Sequence, residues 1–287
     1  MGVHITLKHY VAQHPHSRAM RKRIARKLAP IRLSRANELW YKKALLALTG
    51  RLRQVTRDIL LPVVKQYAPQ EVTTDAIPQA PQDAISAAFE LMQKQFGGID
   101  NLALRLAQTA IEKNNTAVDQ RLISSVKLGV GVDISTALTA GPEITGAMAS
   151  ALTANVELIK SIPQQYFEKL EALVYENFKE GLRFEALADN ISHIADVTDS
   201  RAKLIARDQT SKMNGEFNKV RQTGLGIAKY QWATAGDERV REDHADNDGQ
   251  IFSWDDPPPT GHPGHDINCR CVAVPFFDLD EQPEPEQ

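Results

Sequence analysis

Between Arg35 and Tyr67 the apolar residues Leu45, Leu48, Leu52, Val55 and Ile59 recur at alternating steps of three and four, which places them on one stripe of an amphipathic helix. Residues 68–82 then carry Pro69, Pro78 and Pro81 among glutamines and predict a linker in which no regular element continues. Residues 83–128 read as two helices separated by Gly97-Gly98, and Gly129, Gly131, Gly141 and Pro142 punctuate the next stretch of chain. From Glu143 to Asn177 the period is helical again, with Phe167, Leu170, Val174 and Phe178 on one face, Pro163 opening a second half and Gly181 as the stop. Asp199 or Ser200 is a candidate cap for a further helix through Ile205, Met213 and Val220 to Gly224.

Past Gly226 the period changes from helical to alternating. Residues 227–234, 250–254 and 269–276 read as three short strands. Trp232 and Trp254 offer the largest apolar areas to so small a domain and are its expected core. The expected fold class is α+β, with a mainly α-helical N-terminal two-thirds and a small β-containing C-terminal domain. The expected organisation is a basic helical segment at 1–67, a linker at 68–82, a helical region at 83–199, the C-terminal domain at 200–276 and an acidic disordered tail at 277–287.

Composition changes this picture in two ways. At 287 residues, 42% hydrophobic and 24% charged, the chain is of ordinary globular type, and its longest aliphatic stretch, residues 59–64, is far short of the ~20 residues that a membrane span needs. Neither a membrane span nor a secretory signal is expected, and two cysteines one residue apart point to a reducing cytoplasm rather than a disulfide scaffold. The net charge of −2 conceals an asymmetry: residues 1–70 hold 15 Lys/Arg against two acids, a balance of +13, and the rest of the chain carries −15. A block of one sign attracts a polyanion or an acidic partner, which makes Arg18, Arg21, Lys22, Arg23, Arg26 and Lys27 candidate contacts to nucleic acid.

Candidate chemistry concentrates between Trp232 and Cys271. Side chains two apart on a strand share a face, so Cys269 and Cys271 could present both sulfurs to one zinc ion, with His244 and either His262 or His265 completing a tetrahedron; His262 is the preferred fourth donor. Two small buried apolar thiols are the plain alternative. Asp243 to Gly249 looks like half an acidic calcium loop but lacks the closing glutamate, and reads as a turn before a strand. No nucleophile elbow, phosphate loop or paired-carboxylate motif accompanies these groups, so no enzyme is expected; the alternative is a metal-dependent nuclease or hydrolase using the His/Cys cluster.

The same residues carry a family resemblance. Tyr230-x-Trp232-x-Thr234, Asp237-Glu238-Arg239-Val240-Arg241-x-x-His244, Asp248-Gly249, Trp254-x-x-Pro257-Pro258 and Gly261-His262-Pro263-Gly264-x-Asp266-Ile267-Asn268-Cys269-Arg270-Cys271 occur in this order. Together with Ala206-Arg207-Asp208-Gln209 and Asn214 upstream, they resemble the C-terminal signature of the phage Mu F-like minor head proteins, also called phage head morphogenesis proteins. The motif positions are Arg207, Trp232, Asp237, Arg239, His244, Asp248, Gly249, Pro263, Gly264, Cys269, Arg270 and Cys271. Relatives of this family often carry cysteines where Arg241 and His244 stand. The resemblance implies a minor capsid protein of a tailed phage or prophage, associated with the portal protein and other head proteins. It further implies action in head assembly or DNA packaging and delivery, close to packaged double-stranded DNA, without catalysis. Its expected location is the virion, and the bacterial host cytoplasm during assembly.

Overall fold

A computed structural model describes residues 6–7, 28–67, 79–138, 141–180 and 183–276. The candidate nucleic-acid contacts Arg18, Arg21, Lys22, Arg23, Arg26 and Lys27, most of the expected linker and the expected acidic tail lie outside these residues. The order of elements is α1 (Arg35–Val55), a π-helical turn (Thr56–Leu60), α2 (Leu61–Tyr67), α3 (Gln79–Lys94), α4 (Ile99–Val130), α5 (Pro142–Glu180), α6 (Phe184–Gly224), β1 (Lys229–Ala233), α7 (Glu242–Asp246), β2 (Ile251–Ser253) and β3 (Val272–Phe276). The α+β expectation, helix-rich with a small sheet near the C-terminus, holds.

Four local expectations differ from the structure. α3 begins at Gln79, inside the expected linker, because a proline in the first helical turn removes a donor that has no intrahelical partner there, and Pro81 occupies that turn. Pro163 does not open a second helix but lies buried inside α5. Asp199 and Ser200 cap nothing, since α6 already starts at Phe184 and runs through them. The stripe from α1 also slides. Leu45, Leu48 and Leu52 are buried as the period predicts, but beyond them Thr56, Leu60 and Val64 are buried while Val55 and Ile59 are only half-buried. A π-helical turn holds extra residues per turn, so the inward face moves on by one position.

The chain divides into two compact units. One comprises residues 38–109 and 152–207. Its helices bury Leu45, Leu52, Ile85, Phe89, Tyr166, Leu170 and Val174, and Phe96 meets Phe167 edge-on at 5.5 Å. Buried polar groups are paired across it: the Tyr41 hydroxyl donates to Asn155 Oδ1 at 2.8 Å, and the Thr56 and Tyr166 hydroxyls bond at 2.8 Å. Arg53 bridges Asp196 and Asp199, and Arg51 lies over the Phe96 ring, so part of the basic N-terminal block is used internally.

The other unit comprises residues 1–37, 110–151 and 208–287. It contains a three-stranded antiparallel sheet of order β2-β1-β3, with Tyr230 opposite Phe252 on one side and Pro275 on the other. The C-terminal part of α6 reaches this sheet through amides: Asn218 Nδ2 donates to the Ala273 carbonyl at 2.9 Å and Gln222 Nε2 to the same carbonyl at 3.2 Å. Asn214 donates to the Ile31 carbonyl, and Arg221, only 8% exposed, is paired with Asp119 at 2.7 and 2.9 Å.

Candidate metal centre

The sheet alone is too small to enclose a core, so its apolar face is closed by the loops between strands. Tyr230, Trp232 and Trp254 pack with Cys269, Cys271 and Ala273, and half-buried Phe252 packs against them. Both tryptophans expected from the sequence to anchor the domain are in this cluster. Trp232 meets the His244 ring edge-on at 5.3 Å and interplanar 87°, and Tyr230 lies 4.3 Å from Trp254.

The cysteines reach this core from a loop and not from a strand. β3 begins at Val272, so Cys269 and Cys271 precede it, and the alternation argument for their shared face does not apply. Their convergence comes from the loop itself, in which Asn268 takes a left-handed φ of 60° and donates its N–H to Asp208 Oδ1 at 3.1 Å. The Ser211 hydroxyl donates to the Cys269 carbonyl. α7 supplies His244, whose backbone N–H donates to Asp243 Oδ1 at 2.9 Å.

His244 Nδ1 sits 3.5 Å from Cys269 Sγ and 3.6 Å from Cys271 Sγ, and the three donor atoms lie within 4.8 Å of one another. All three residues are buried. The far side of the imidazole is held too: His244 Nε2 is 3.1 Å from Asp266 Oδ2, and Arg241 spans Asp266 Oδ2 at 3.4 Å and the Ile267 carbonyl at 2.8 Å. Cys269 Sγ accepts the Gly264 N–H at 3.4 Å. A hydrogen bond from the Cys271 thiol, with the Gly264 N–H behind it, brings the Cys269 thiol down. Cys271 is pushed up, by its bond to Cys269 and by burial. Two thiols and an imidazole are a donor set that suits zinc.

His262, the preferred fourth donor, is elsewhere. Its Nδ1 is 3.0 Å from the Tyr230 hydroxyl, and its ring packs 5.1 Å from Trp254, so it belongs to the aromatic core. Burial brings it down to about 4, which keeps it neutral. His265 is exposed and neighbours His262, not the sulfurs.

The remaining motif positions brace the loops. Asp237 binds Arg270 at 2.5 Å and Arg239 at 3.2 Å, and the Arg270 guanidinium holds its carboxyl down at about 2. Asp248 accepts the Thr234 N–H at 2.7 Å, and Gly249 has a positive φ of 78°. Pro263 and Gly264 press on α6, where a Cβ at Gly215 would stand 2.8 Å from the Pro263 carbonyl oxygen. Arg207 is exposed on α6. Sequence reasoning missed Ser211, Gly215, Asn218 and Gln222. Their signal was present, since small and amide residues at helical spacing occupy a face where an ordinary amphipathic helix carries apolar ones.

Comparison with known proteins gives this site a context. Residues 168–274 match the family described as Phage Mu protein F like protein. The Mu F-like stretch thus runs from within α5 to β3 and includes every residue of the His/Cys cluster. An uncharacterized protein of Haemophilus influenzae is 34% identical over 261 residues, covering 90% of this chain. The chain spans 57% of that relative's length. No solved structure matches. Among the described residues no helix is long and apolar enough to cross a membrane.

Proposed function

We propose that the protein is a minor head protein of a tailed phage or prophage, which acts in head morphogenesis at the portal and near packaged DNA and has no catalytic duty. The observation that carries this reading is the Mu F-like match over residues 168–274, within which the motif residues hold the fold together: Asp237 braces Arg270, Asp248 closes a loop, and Gly264 seats the loop on α6. The portal protein and other head proteins are the partners this reading requires, and the virion, with the host cytoplasm during assembly, is its location.

The hydrolase alternative needs a reacting position open to substrate. His244, Cys269 and Cys271 are only 2%, 4% and 4% exposed, and Asp266, the carboxylate on the imidazole, is already engaged with His244 and Arg241. That arrangement favours a brace over an active site.

The test uses the phage or prophage that encodes the gene. Mass spectrometry of purified virions is expected to find the protein at far fewer copies than the major capsid protein, and an in-frame deletion is expected to yield aberrant or non-infectious heads rescued by the wild-type gene. Virions that lack the protein, together with unchanged titre in the deletion, would overturn the reading.

A further inference from the structure

We propose that His244, Cys269 and Cys271 hold one zinc ion per chain, as a cross-link between α7 and the loop before β3. The proposal stands apart from the head-protein reading, because it concerns the folded chain and can be tested without a virion.

The spacing of the donors fits an ion. Zinc–sulfur bonds of about 2.3 Å and zinc–nitrogen bonds of about 2.05 Å at the tetrahedral angle put sulfur and nitrogen about 3.6 Å apart. The observed separations from Nδ1 are 3.5 and 3.6 Å. Both edges that involve the imidazole therefore have the length that a shared ion would give them.

The Nδ1 of a neutral imidazole has either one lone pair or one hydrogen, so it can make one good bond to one sulfur. Two sulfurs at nearly the same distance from a single nitrogen are the arrangement that one shared ion would give.

The surroundings match a metal site as well. A ligating histidine ordinarily bonds a carboxylate or carbonyl through its other ring nitrogen, which fixes the ring and its tautomer. His244 Nε2 has such a partner in Asp266, itself held by Arg241. The Gly264 N–H pointing at Cys269 Sγ is the kind of donor that stabilises a bound thiolate. Two thiolates and an imidazole favour zinc over magnesium or calcium, which take oxygen ligands.

The ion would tie together positions 25 and 27 residues apart, His244 to Cys269 and His244 to Cys271. The only strand within this long loop is the three-residue β2. Because such a site does not exist in the unfolded chain, metal binding would stabilise the fold directly.

Elemental analysis of tag-free, full-length protein produced with zinc in the medium is expected to give about one zinc per chain. Replacing that ion with cobalt should produce the intense near-ultraviolet thiolate charge-transfer band and the visible bands of a tetrahedral site. Cys269→Ser with Cys271→Ser should abolish both. His244→Cys guards against a folding failure in that double variant: it keeps three donors, should retain the ion, and should strengthen the thiolate band. Asp266→Asn should weaken zinc affinity about 10- to 100-fold, the usual effect of losing such an outer partner. His262→Gln should retain the ion unchanged. Zinc-free protein that gives no cobalt spectrum, an ion that survives the double cysteine variant in folded protein, or loss of the ion in His262→Gln would each overturn the proposal.

Discussion

His262 shows how little a residue type says until its neighbours are known. In the sequence it is one histidine among several near two cysteines, and ligand chemistry makes it attractive. In the structure its Nδ1 meets the Tyr230 hydroxyl and its ring fills the space beside Trp254, so neutrality is what the core needs from it. Its folded-state value of about 4 lies below the unfolded value near 6.5, so between those limits the unfolded chain takes up a proton that the folded chain refuses. Stability from this residue is therefore complete above about pH 6.5 and is lost as pH falls towards 4. Wild type should lose on the order of 1–3 kcal/mol more than His262→Gln between pH 7 and 4.5, read from denaturant midpoints at each pH. Equal losses in the two proteins would show that His262 is not shielded as described. Trp232, fully buried with its ring against His244, belongs to the same core, and Trp232→Ala should cost about 3–5 kcal/mol in the same assay. A loss under about 1 kcal/mol would remove it from the core.

At the level of elements, periodicity revealed most of the fold because burial follows it: the face of Phe167, Leu170, Val174 and Phe178 is buried throughout, and Gly97-Gly98 does separate two helices. What it did not reveal has specific causes. The π-helical turn at Thr56–Leu60 changes the residues per turn and so moves the buried stripe off the predicted positions. The polar face of α6 is silent in an apolar pattern, because Asn218 and Gln222 are drawn inward by the Ala273 carbonyl, a partner 55 and 51 residues away. The His/Cys cluster was legible as a set of residue types, with His244, Cys269 and Cys271 all named, but the placing of His262 in the aromatic core depends on a loop fold that no local pattern encodes. The close approach of α6 to the Pro263-Gly264 turn gives a direct test. Gly215→Ala would place a Cβ 2.8 Å from a backbone oxygen that cannot swing aside, and should cost about 1–3 kcal/mol in thermal or denaturant unfolding. Gly50→Ala, on the exposed side of α1 with nothing within 4 Å, should instead gain up to about 1 kcal/mol. If both substitutions stabilise, the close packing of α6 on that turn is wrong.

For the whole molecule, the decisive quantity is the separation of charge along the chain. Arg53 is committed to Asp196 and Asp199, and Arg51 and Lys65 lie over the Phe96 and Phe184 rings, so not every cation in the +13 block is free for an external partner. Arg18, Arg21, Lys22, Arg23, Arg26 and Lys27 are the densest part of that block, six cations within ten residues. Such a cluster neutralises phosphates and releases the ions condensed around them, which makes binding steeply dependent on salt. Full-length protein is therefore expected to bind duplex DNA without sequence preference, with affinity falling by orders of magnitude between about 50 and 200 mM salt if ~6–10 phosphates are engaged. Changing the six cations to glutamine should weaken binding and flatten the logarithmic salt slope by about 0.9 for each phosphate no longer neutralised. Fluorescence anisotropy over a salt series reads both quantities. Binding that ignores salt, or that persists undiminished in the six-site variant, would remove DNA as the partner of this block and leave an acidic protein surface in its place.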